Sequence, residues 1–157
     1  MISTLVRSVL SDSPPATGVL FENTSGQGTT LGRSFEQLST LLELTGMPDR
    51  SGVCFDTCHA FAAGYDLASG TAVDDTMEAF DRTAGTGCIR AFQMNASLTP
   101  RGSGRDRHAG IGTGLIGLEP LRYMASLEAF RSVPGIVETP GSDEDRASDA
   151  MKLAAVE

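Results

Sequence analysis

The sequence predicts an α/β chain built on a parallel sheet, and two observations carry that prediction. Short runs of apolar, strand-forming residues alternate with stretches whose apolar residues recur at helical spacing, the order that right-handed βαβ crossovers produce. The strand-like runs also end in side chains able to bind a metal ion or to hydrogen-bond: Glu22, Asp56, Gln93 and Glu138. One such ending is chance. A repeat of them puts polar chemistry along one rim of the sheet, where the C-terminal ends of barrel strands carry function.

The elements follow in order. Ile2, Leu5, Val9 and Leu10 fall at helical spacing, so residues 2–11 read as an amphipathic helix that stops before Pro14-Pro15. Gly18-Val19-Leu20-Phe21 is a short strand that delivers Glu22 at its end. The next segment, Asn23 to Gly32, is rich in glycine and hydroxyl groups. It reads either as a plain loop or as a phosphate cradle, although the Gly-Lys-Ser/Thr ending of a P-loop is missing. Ser34-Phe35-Glu36-Gln37 fits a capping box; Phe35, Leu38, Leu41 and Leu42 give the helix it opens one apolar stripe, and Gly46 and Pro48 end it.

Gly52 to Phe55 forms the second strand, and the run from Val53 to Asp66 is the stretch to which the rest must be fitted. Side chains alternate along a strand, so Cys54 and Asp56 share a face. A carboxylate followed three positions later by the imidazole of His59 is a ligand pair for zinc or manganese. The bland alternative is an Asp that caps the next element beside a solvated His. Thr71 can cap a helix with Val73, Met77 and Phe80 inward and Asp74, Asp75 and Glu78 on a solvated face.

Ile89-Arg90-Ala91-Phe92 is the third strand, ending in Gln93-Met94-Asn95. Ala96 to Gly114 reads as one long polar loop, in which Asp106 and His108 form either a second ligand pair or a surface salt bridge. Leu118 to Ala125 is a short helix with Pro120 in its first turn. Gly135-Ile136-Val137 is the fourth strand and ends in Glu138; from Gly141 the chain is an acidic tail closing in a weak Ala-rich helix.

A chain of 157 residues suffices for a single domain with a sizeable core. No apolar run approaches the ~20 residues of a membrane span, and Met1 to Leu10 lacks the core and cleavage site of a secretory signal. Three cysteines without framework spacing point to a reducing cytoplasm. Cys54, Cys58 and Cys88 read as small packing residues rather than nucleophiles. The net charge of −8 argues against a surface that coats nucleic acid, but not against a nuclease whose site carries its positive charge as metal ions. Arg101, Arg105 and Arg107 cluster as the candidate for phosphate contact.

With these elements in place, Glu22-Asn23-Thr24 with Gly26-Gln27-Gly28, and then the block from Gly52 through Asp56-Thr57-Cys58-His59-Ala60 to Asp66, resemble endonuclease IV, the zinc-dependent AP endonuclease family. Asp106-Arg107-His108, Gly110-Ile111-Gly112, Gly117-Leu118 and Val137-Glu138-Thr139-Pro140 are similar to its later motifs, in order. The resemblance implies an eight-stranded TIM barrel with up to three zinc (or manganese) ions at its mouth. It also implies hydrolysis of the DNA phosphodiester 5′ of abasic sites in base-excision repair. By the same resemblance Glu22 bridges two ions, and Asp56 and Glu138 are ligands of one of these. His59, Asp106 and His108 hold a third, Glu22 and Glu138 lie at the catalytic centre, and Arg107 contacts the DNA backbone.

Two departures stand out. Gln93-Met94-Asn95-Ala96 occupies the place of a family histidine ligand followed by Leu-Asn-Asp, and a glutamine carbonyl is a weaker zinc ligand than imidazole. The resemblance also covers only the C-terminal half of the barrel, four βα units. Such a half-barrel leaves sheet edges unpaired and one face uncovered, so an N-terminal half-barrel or a second copy is the expected partner. Two other functions stay open. One is a sugar isomerase or epimerase with one ion on Glu22, Asp56, Gln93 and Glu138; the other is a truncated, non-catalytic subunit.

Overall fold

A computed structural model describes residues 1–154. The alternation becomes α1 (Ile2–Ser11), β1 (Val19–Glu22), α2 (Phe35–Thr45), β2 (Ser51–Asp56), α3 (Thr57–Ala63), α4 (Gly70–Ala84), β3 (Ile89–Gln93), β4 (Ala96–Ser97), β5 (His108–Ala109), α5 (Leu118–Ser126), β6 (Gly135–Ile136) and α6 (Asp143–Ala154). β1, β2, β3 and β6 pair side by side, all parallel, as half of a (β/α) barrel. Register sets Asp56 level with Gln93 and Gln93 level with Ile136, while Glu22 lies opposite Cys54, two residues short of Asp56.

Alternation along β2 sends Val53 and Phe55 to the helix side, where they are fully buried among Phe35, Leu38, Val73 and Phe80. The aromatic rings interlock there: Phe55 meets Phe80 edge-on at 5.7 Å and Phe35 stacks on Tyr65 at 3.8 Å. Such pairs add about 0.5–1.5 kcal/mol each beyond the area they bury. The opposite, concave face is open. Leu20 on β1 is 41% exposed and Ile136 on β6 is 51% exposed, both large apolar side chains on the half-barrel's inner surface.

Several sequence expectations are revised. Ser69, not Thr71, caps α4, its hydroxyl accepting from Ala72 N at 3.1 Å, and Thr71 lies inside the helix. Ser34 caps α2 as expected, but the Gln37 side chain reaches past it to accept from Gly32 N and Arg33 N, so it ties down the preceding loop. The polar stretch 96–114 is not all loop: β4 and β5 form an antiparallel ribbon that carries His108. Gly114 packs against this ribbon so closely that a Cβ there would lie 2.7 Å from that of Ala96.

The C-terminal segment is tied back to the sheet. Ser142 and Asp145 cap α6 reciprocally, and Asp143, Glu144 and Asp145 in its first turn complement the helix dipole. Leu153 is buried against the core. Asp149, also buried, pairs with Lys152 Nζ at 2.7 Å, and the same ammonium donates to Ile111 O at 3.1 Å. Among the described residues no helix is long and apolar enough to cross a membrane.

Candidate metal centre

β2 ends and α3 begins at one residue. Asp56 is fully buried; its Oδ1 accepts from His59 N at 2.7 Å as the N-cap of α3, while Oδ2 accepts from Asn95 Nδ2 at 2.7 Å. The bland reading of Asp56 as a cap therefore holds, and the same carboxylate also lies among possible metal donors. Its backbone is clamped as well, with Asp56 N donating to Asn23 Oδ1 at 2.7 Å and Asn23 Nδ2 donating to Asp56 O at 2.8 Å. Burial raises the Asp56 pKa, and the neighbouring His59, its backbone N–H and His108 pull against that rise.

His59 is not solvated. Its Nδ1 lies 3.0 Å from Asn23 O and 2.9 Å from Glu22 Oε1, and its Nε2 lies 3.0 Å from Asp106 Oδ2. Burial alone would lower its pKa, but Glu22, Asp56 and Asp106 together push it up to about 9. His108 repeats the pattern, with Nδ1 3.0 Å from Glu138 O and Nε2 3.2 Å from Asp106 Oδ1 and 3.6 Å from Asp56 Oδ2. Both Nε2 atoms are buried and make no hydrogen bond of proper geometry. An imidazole that donates through Nδ1 to a backbone carbonyl presents its Nε2 lone pair, the arrangement metal-binding histidines use.

The structure thus gathers Glu22, Asp56 and His59 into one group of possible donors and His59, Asp106 and His108 into another, with the donor atoms of each within 4.8 Å of one another. Cys58 enters a third group with Asp56 and His108, although its sulfur hydrogen-bonds the Arg107 carbonyl and burial raises its thiol pKa to about 11. Glu138 is in none of these groups. Its backbone N–H donates to Asn95 Oδ1 at 2.8 Å and its carbonyl faces His108. Burial, with the charges of Glu22, Asp56 and Glu138, raises the Cys54 thiol pKa to about 11. Gln93, level with Asp56, has a buried Oε1 with no hydrogen-bond partner.

Arg107 lines a recess of about 360 Å³ together with His59, Asp106, Thr24 and Gln27. Arg101, by contrast, leaves the expected arginine cluster to pair with Asp66.

Three positioning residues escaped the sequence reading: Asn23, Asn95 and Thr57. Thr57 Oγ1 donates to Asn95 O at 2.6 Å and accepts from Asn95 N at 2.8 Å, holding the turn after β3 against the start of α3. The available signal was an Asn one residue after Glu22 and two after Gln93, at the ends of neighbouring strands.

The sequence pattern of the xylose isomerase-like TIM barrel matches residues 17–155. A protein of Chlorobium luteolum named "Probable endonuclease 4" is 48% identical over 142 residues, covering 90% of this chain and 50% of that protein. One of Geobacter sulfurreducens with the same name is 48% identical over 141 residues, covering 89% of this chain and 47% of its own length. The crystal structure of endonuclease IV from Thermus thermophilus superposes with a TM-score of 0.82 at 33% identity, over 94% of this chain and 52% of that one. The chain spans about half the length of these relatives.

Proposed function

Because this chain belongs to the xylose isomerase-like TIM-barrel family and runs alongside half of each endonuclease 4 relative, we propose that it is the C-terminal half of a metal-dependent AP endonuclease. In this reading it hydrolyses the DNA phosphodiester 5′ of an abasic site once an N-terminal half-barrel, or a second copy, completes the barrel. The observation that carries the reading is the pair of buried Nε2 atoms of His59 and His108, without a hydrogen bond of proper geometry, that face the one carboxylate of Asp106.

That donor set fits borderline dications, which take imidazole nitrogen and carboxylate oxygen together. Glu22, Asp56 and Glu138 would serve the ions nearest the sheet, and His59, Asp106 and His108 another, with zinc or manganese as the candidates. When bound, such a cluster would supply a lowered pKa for water and positive charge against the phosphate and the leaving oxygen. The chain's own part is positional. Asn23 and Asn95 fix Asp56, backbone carbonyls set the two imidazoles, and Arg107 stands where a backbone phosphate would approach. Gln93 offers only a neutral oxygen, so the position it shares with Asp56 and Glu138 is the weakest of the set.

Incision of an oligonucleotide with one abasic site, by this chain alone and with an added N-terminal half, tests the reading. Cutting on the 5′ side that is lost in His59→Ala supports it. Failure under both conditions, even after Gln93→His, leaves the non-catalytic subunit. The single-ion sugar isomerase is separated by metal content: the second donor group, His59 with Asp106 and His108, predicts more than one ion per completed barrel.

A further inference from the structure

Beside the metal centre lies a second depression, about 580 Å³, walled by the glycine loop after β1 on one side and the segment 99–107 on the other. Arg33, Arg105 and Arg107 all line it. Arg82, Arg101, Arg122, Arg131 and Arg146 are each paired with a carboxylate, but among the described residues none of the three groove arginines is. Arg7, Arg50 and Arg90 lack a carboxylate partner too, but in a chain of net charge −8 this groove brings three such guanidinium groups together; Arg107 donates to the Asp106 carbonyl, and Arg33 and Arg105 make no side-chain hydrogen bond among the described residues.

The groove is held in shape. Gly26 has φ 84°, and a Cβ there would fall 2.3 Å from Arg33 Cδ, so the Arg33 side chain lies across the bare face of that glycine. On the other wall, Thr99 Oγ1 donates to Arg105 O at 3.0 Å and Ser103 Oγ accepts from Arg105 N at 3.2 Å, which fixes the backbone from which Arg105 projects. Gln27 Oε1 accepts from Asp106 N at 3.5 Å and joins the walls. The groove shares Gln27 and Arg107 with the recess that contains His59 and Asp106, so one bound strand could run from one into the other.

We propose that this groove is a subsite for backbone phosphates of the DNA strand flanking the metal centre, with Arg33 and Arg105 as its contacts. The proposal rests on the DNA-directed reading above and adds residues to it. Neither arginine reaches the donor groups; their work is to seat the strand. Guanidinium forks suit phosphate oxygens, and the open glycine backbone lets a strand lie close.

The test is the salt dependence of binding, measured by fluorescence anisotropy with a labelled duplex carrying one abasic site. Each phosphate contact contributes a slope of about −0.9 to log K against log salt, so Arg33→Gln with Arg105→Gln should flatten the slope by about 1.8. The double variant should then lose about twelvefold less affinity than the wild type over a fourfold rise in salt. Gly26→Ala, which displaces Arg33, should reproduce the single Arg33→Gln change. Arg82→Gln with Arg131→Gln, on α4 and in the turn before β6, should leave the slope as it was. A wild-type slope in the double variant overturns the proposal. So does binding of inorganic phosphate that both substitutions abolish while the DNA slope stays constant, since the groove would then serve a small anion. Absence of any salt-dependent DNA binding by the wild type, both alone and completed by an N-terminal half, would sink the broader reading as well, which distinguishes the two failures.

Discussion

Replacing Asn95 with alanine should be among the most damaging single changes on the inner surface, and its cost can be worked from the geometry. Asn95 is fully buried and joins the segments that carry Asp56 and Glu138, its Nδ2 donating to Asp56 Oδ2 at 2.7 Å and its Oδ1 accepting from Glu138 N at 2.8 Å. The first bond goes to a buried carboxylate and is worth about 1.5–3 kcal/mol, the second about 0.5–1.5 kcal/mol, so their loss should cost about 3 kcal/mol. In a domain of this size that lowers Tm by roughly 6–12 °C. Urea unfolding of the metal-free protein, analysed with the slope m held against the wild type, reads the number directly. Because Asp56 would lose its brace, metal affinity should also fall by about 10–100-fold, the usual cost of removing a group behind a ligand. A loss of stability under about 1 kcal/mol with metal affinity unchanged would refute the reasoning, since Asn95 would then be filler between segments that hold themselves.

Two further predictions concern pH. In the metal-free protein the His59 pKa is raised to about 9, above the ordinary unfolded value near 6.5, so its contribution to stability is complete below about pH 6.5 and lost as pH rises towards 9. His59→Gln should remove that part of the pH profile in chemical denaturation, and an unchanged profile would contradict the pairing with Glu22 and Asp106. At the acid end, burial would raise the Asp149 pKa, but Lys152 together with the Thr139 hydroxyl and the Ile111 N–H more than offsets it and the net shift is downward. Its stabilisation is therefore present above about pH 4 and lost as pH falls through the folded value, a loss that Asp149→Asn should not show.

How far the sequence could be read depended on whether a residue's role was local. Strand ends were legible because apolar runs that stop at Glu22, Asp56, Gln93 and Glu138 are contiguous patterns. The start of α4 was missed by two residues because Ser69 and Thr71 are both competent caps, and only the path of the chain after Asp66 chooses between them. The ribbon of β4 and β5 was invisible: each strand is two residues long, and their pairing is decided by partners eleven or more positions apart. Asn23 and Asn95 look like ordinary loop residues in one dimension. Their function exists only once parallel register brings neighbouring strand ends together around Asp56. The arginine cluster is rearranged for the same reason, since Arg101 pairs with Asp66 and Arg33 joins Arg105 and Arg107 from another loop.

If Asp56 is a metal ligand as proposed, its place as the cap of α3 has a kinetic consequence. Both of its oxygens already hold N–H donors, one from the first turn of α3 and one from Asn95. An incoming ion would therefore meet a carboxylate whose orientation is settled beforehand, and would share its oxygens with the His59 backbone N–H and the Asn95 side chain instead of recruiting a loose side chain. Departure of the ion would leave α3 still capped and the turn after β3 still anchored. Loading and unloading should accordingly proceed without local melting, at rates governed by water exchange on the ion and access through the open rim.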